Sequence, residues 1–147
     1  MIQELLELVQ AKPRELIARM EQPRAIGPIR RAPRLVAVAE CWRLGAILLD
    51  TEGQLYAAGT VIRAERERQH GYPSRLAEQR AELKAAAQRG GIDQGRTVNL
   101  DVRRLDTDHP SPPLRDRDGI LEVEWAPNAW VPLEPYLRER IALMPNA

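Results

Sequence analysis

At 147 residues the chain can bury a core of its own without a disulfide or metal to hold it. Hydrophobic residues make up 44% and charged residues 29%, which excludes a wholly disordered chain, and no apolar run nears the ~18 residues of a membrane span. The 22 basic and 21 acidic residues leave a net charge of +1, so no global field draws the chain to nucleic acid or an anionic membrane.

The basic residues are 20 arginines and two lysines, Lys12 and Lys84. Arg suits planar, bidentate contacts with carboxylate or phosphate. GC-rich codon usage produces the same bias and is the plainer explanation. There is no Phe, so Leu, Val, Ile and Ala must build the core around Trp42, Trp125 and Trp130. Cys41 is the only cysteine, which rules out an intramolecular disulfide and suits a reducing, cytoplasmic setting. The acidic, amphipathic start Met1–Glu7 lacks the basic and apolar regions of a leader peptide.

In chain order, Leu5, Leu6, Val9, Leu16, Ile17 and Met20 recur at helical spacing, so residues 2–21 are expected to be helix, kinked or re-started at Pro13. Pro23, Pro28 and Pro33 turn residues 22–34 into a semi-extended linker. Residues 35–42 fit helix or strand equally well. Residues 46–49 read as a buried strand, Asp50-Thr51-Glu52-Gly53 as a turn, and residues 54–62 as the antiparallel partner. After a polar loop at 65–73, Ser74 caps a helix that ends at Gly90, with Leu76, Leu83, Ala86 and Ala87 inward. Residues 97–103 alternate as a half-buried strand. Residues 106–118 read as a Pro-rich loop, and residues 121–125 as another half-exposed strand. The solvent faces carry Asp101 and Arg103 on one strand and Glu122 and Glu124 on the other, and cross-strand Arg–Glu pairing favours placing the two side by side. A last helix spans about 132–144, with Leu133, Leu137, Ile141 and Met144 inward.

The predicted architecture is therefore α+β: a mixed, mainly antiparallel sheet of four to five strands, two helices on one face and an N-terminal helical extension. Residues 1–34 form an amphipathic helix plus a Pro/Arg-rich linker, and residues 35–147 form a single core domain.

Chemical signatures are sparse. Ala81-Glu82-Leu83 and Gly91-Ile92 superficially resemble the signature helix of the Nudix hydrolases. Neither register supplies its paired glutamates: Ala85 and Ala86 fall there in one, Gln88 and Arg89 in the other. Without those ligands the metal-assisted phosphate chemistry has no basis. Cys41, His70 and His109 have no zinc-ligand spacing, so no metal and no cofactor is expected. A Cys41–His nucleophile pair is less natural than Cys41 as a small buried hydrophobe beside Trp42. No phosphate loop or nucleophile elbow occurs.

Three readings follow. The leading one is a small, non-catalytic protein-interaction or oligomerisation module, a homo-oligomer joined through the N-terminal helix. An alternative is nucleic-acid binding through Arg24, Arg30, Arg31 and Arg34, because no acidic residue lies between Glu21 and Glu40. The last is an enzyme with Glu65, Glu67, His70, Asp106, Asp108 and His109 gathered between the 65–73 and 106–118 loops.

Overall fold

The computed structural model describes residues 1–64 and 75–147. It is α+β, and its described residues form three helices, a mixed sheet of seven strands and a separate sheet of three. The expected four to five strands are thus too few, because half of a predicted helix and part of the predicted 106–118 loop are strands and two predicted strands each break in two. The chain folds as two compact units, each discontinuous in sequence: Met1–Glu15, Glu40–Gly59 and Val102–Ala147 in the first, Leu16–Ala39 and Thr60–Asp101 in the second. Both take residues from either side of position 34.

In the first unit, α1 (Ile2–Val9) buries Leu5 and Val9, one helical turn apart, in the core. Eight residues are too few for a stable isolated helix. Burial of these two side chains, worth about 2 kcal/mol each, holds it. The end of β2 (Arg34–Leu44) turns through Gly45, at φ 68°, into β3 (Ile47–Asp50), which pairs antiparallel with β4 (Leu55–Ala57). The predicted turn at 50–53 is present, with Gly53 at φ 86°. Next to β4 lies β7 (Arg103–Leu105). A meander of β8 (Leu114–Arg117), β9 (Ile120–Ala126) and β10 (Ala129–Pro132) forms the three-stranded sheet. The helix α3 (Leu133–Leu143) buries Leu133, Leu137 and Ile141 as its spacing predicts. Trp42 is fully buried here, its indole Nε1 donating to the Lys12 carbonyl at 3.2 Å.

In the second unit, β1 (Glu15–Glu21) runs parallel to β6 (Thr97–Leu100), and β5 (Thr60–Arg63) pairs antiparallel with β6. The helix α2 (Arg75–Arg89) contributes Leu83, Ala86 and Ala87 to a core with Leu16, Ala18, Leu35, Ile62 and Val98. Its end is a Schellman turn: Ile92 N–H donates to the Ala87 carbonyl (3.1 Å), Gly91 N–H donates to the Gln88 carbonyl (3.0 Å), and Gly91 sits at φ 74°. Gly91, one residue beyond the predicted stop at Gly90, supplies the left-handed residue.

Several expectations are corrected. Residues 15–21 are strand because Leu16 and Ala18 alternate into the second core, and pairing with Val98 and Asn99 outweighs a short helical pattern that Pro13 has already cut. Residues 35–42, open between helix and strand, are strand. The run 54–62 breaks at Ala58-Gly59 into β4 and β5, which pair with different neighbours. The run 97–103 likewise breaks where Asp101 adopts φ 56°. Leu76 is 61% exposed, not inward, and Asn99 is fully buried, its amide donating to the Leu16 carbonyl at 3.1 Å. The 106–118 segment contains β8. The predicted pairing of 97–103 with 121–125 is absent, since β9 lies between β8 and β10 and Glu122 pairs with Arg115 at 2.8 Å. Ser74 and the 65–73 loop lie outside the described residues.

Candidate functional site

The proline-rich linker folds back on itself as an arm between β1 and β2. At its foot Arg34 forms an ion pair with Glu21, at 2.5 Å from Nη2 to Oε1, and this guanidinium lowers the Glu21 pKa below its usual 4.5. One step further out, Gln22 Nε2 donates to the Arg31 carbonyl at 2.6 Å. At the tip, Ile26 and Ile29 exchange two backbone hydrogen bonds of 3.0 Å across Gly27-Pro28. Gly27 supplies φ 58° at the first central position, and Pro28 has no N–H to leave unpaired at the second. The sequence that excludes an inner strand thus makes a narrow turn held by this one bridge.

Of the four arginines singled out in the sequence, Arg34 is committed to Glu21. Arg24, Arg30 and Arg31 are exposed, and among the described residues none of the three guanidinium groups has an acidic partner. Ile26 (66% exposed) and Ile29 (64%) stand between them. No sequence periodicity singled out these two isoleucines; the Gly-Pro step at the centre of the linker is the local signal that could have found them.

The near-neutral total charge conceals a segregation. The second unit, which bears the arm, has 13 basic and 7 acidic residues, whereas the first has 9 and 14. Residues 22–39 of this more basic unit hold four arginines and no acidic residue.

Of the residues named for an enzyme, Glu65, Glu67 and His70 lie outside the described residues. Asp106, Asp108 and His109 share one exposed turn: Asp106 Oδ1 accepts the Asp108 N–H at 2.9 Å, and Oδ2 lies 3.1 Å from His109 Nδ1. The Asp108 N–H foremost, then His109, lowers the Asp106 pKa. This is an aspartate-capped turn, with Asp106 61% and His109 85% exposed. The neighbouring hollow, about 400 Å³, is lined by Gly53, Gln54, Arg104 and Asp106 among others. Cys41 is fully buried, and burial first, then the Glu15 charge, pushes its thiol up to about 12, so it is no thiolate nucleophile at neutral pH. Among the described residues no three His, Cys, Asp or Glu side chains gather as a metal site, and no helix is long and apolar enough to cross a membrane.

No protein-family model matches the chain, and neither a curated protein nor a solved structure matches it significantly.

Proposed function

We propose that the protein is a non-catalytic interaction module whose contact element is the arm at residues 22–33, and that its partner is anionic. The observation that carries this reading is the set Arg24, Arg30 and Arg31: three exposed guanidinium groups without acidic partners among the described residues, on the more basic unit. Beside these arginines stand Ile26 and Ile29, both exposed, so the arm offers an anionic partner charge and apolar area together. The contact is assigned to the arm, not to the N-terminal helix, because Leu5 and Val9 are already buried in the first unit.

The test is retention on a sulfated polysaccharide resin. The intact chain is expected to bind at low salt despite its net charge of +1, and the R24A/R30A/R31A variant to elute at clearly lower salt. Equal elution of the two would remove the arm as the contact element.

A further inference from the structure

We infer that the arm is a groove-reading element for duplex nucleic acid, with Arg24, Arg30 and Arg31 on the phosphates and Ile26 and Ile29 as an apolar wedge. The inference rests on the reading of the arm as the contact element and names its partner.

Shape is the first argument. The tip is a narrow turn closed by the Gly27-Pro28 step, with one bridge, Ile26 to Ile29, joining its two legs. A stable protein–protein interface draws roughly 20–30 residues from each side, more than a narrow turn of this kind presents. Nucleic-acid grooves, roughly 6 Å (minor) and 12 Å (major) wide, by contrast admit narrow elements of a chain.

Chemistry is the second. Arginine side chains follow phosphates and the electronegative minor groove, while apolar side chains such as Ile and Pro wedge between base steps and unstack them. The arm holds both kinds in register: Ile26, Pro28 and Ile29 at the end, and Arg24, Arg30 and Arg31 just behind. Single-stranded nucleic acid is disfavoured because the arm carries no aromatic residue on which bases stack.

Charge is the third. No acidic residue occurs from 22 to 39, so nothing within the arm repels a phosphate, and the unit that bears it is net basic.

The experiment is fluorescence anisotropy of the full chain with a labelled A·T-rich duplex, its single strand, and polyglutamate, over a range of salt. The duplex is expected to bind tightest. The slope of log K against log salt should be about −2.7, as three phosphate contacts give, and each single change R24A, R30A or R31A should reduce it by about 0.9. A triple Arg→Lys variant should keep the slope. The I26S/I29S variant should keep the slope yet bind more weakly, and should abolish the fluorescence rise of 2-aminopurine that reports unstacking. All five positions are exposed, and thermal melts followed by circular dichroism check that each variant is folded.

Polyglutamate binding as tight as the duplex overturns the inference in favour of an acidic protein. A concentration-dependent gain in mass at low salt that the Arg→Ala changes abolish, with no duplex binding, overturns it in favour of a second copy. In both cases salt-dependent resin retention persists and the broader reading of the arm survives. Loss of resin retention as well removes both.

Discussion

Arg34 donates to Glu21 Oε1 through both Nε (3.2 Å) and Nη2 (2.5 Å), closing the arm at the point where β1 ends and β2 begins. The Arg34 hydrogen bond lowers the carboxyl pKa below 4.5. A lowered folded-state pKa contributes stability that is complete above the unfolded value and is lost as the pH falls through the folded one. Acidification below the unfolded value of 4.5 and through the lowered folded one should therefore loosen the foot of the arm. The expected result is a low-pH transition in the amide NMR signals of Ile26 and Ile29 that is missing in E21Q and R34A. A transition unchanged in both variants would show that the clasp does not hold the arm.

Gly90 and Gly91 are expected to fail differently on substitution. A Cβ at Gly90 would overlap the backbone carbonyl of Leu35, a wall that cannot swing aside, so G90A should cost about 3 kcal/mol by overpacking. A Cβ at Gly91 meets nothing within 4 Å, but φ 74° penalises any L side chain, so G91A should cost about 1 kcal/mol. Urea melts of the two variants give the order, and a G91A penalty equal to or larger than that of G90A would contradict the close approach.

Where the sequence was legible, local chemistry decided the structure. The spacing of Leu133, Leu137 and Ile141 predicts α3, and Asp50 to Gly53 predicts the β3–β4 turn, because each rests on neighbours in the chain. Where it misled, a distant strand decided. Leu16, Ile17 and Met20 recur at helical spacing, and it is pairing with β6, some eighty residues away, and with β2 that makes the segment a strand. The breaks at Ala58-Gly59 and Asp101 look like weak points in continuous strands until the partners on either side prove different. The basic arm was legible as a run without acids. Its charge setting was not, because the two units interleave along the chain, and summing over the whole length cancels 13 against 7 with 9 against 14.

Cys41 should be chemically silent in the native protein. Its thiol is fully buried and pushed up to about 12, chiefly by desolvation. Since the thiolate is the reactive form, alkylation at pH 8 should be undetectable under native conditions and should rise along the urea unfolding curve. Rapid native labelling would mean that the site opens locally without global unfolding.

Asp50 organises the β3–β4 turn through three acceptor contacts: from the Glu52 N–H (2.9 Å), the Gln54 N–H (2.9 Å) and the Tyr56 hydroxyl (2.7 Å). It is only 4% exposed, so D50A leaves donors without their partner and should cost about 2 kcal/mol, while D50N, which keeps an acceptor oxygen, should cost about 1 kcal/mol. Tyr56 reports on the same contact. Burial first, and then the hydrogen bond and charge of Asp50, raise its phenol from 10 to about 12. A raised folded-state pKa contributes stability that is complete below 10 and is lost as the pH climbs through 12. In D50A the burial remains but the hydrogen bond and charge do not. Tyrosinate absorbance should then show the Tyr56 phenol titrating part of the way back toward 10, and the alkaline loss of stability should begin at correspondingly lower pH. An unchanged phenol titration in a folded D50A variant would mean that burial alone sets the shift, and that Asp50 acts only on the turn backbone.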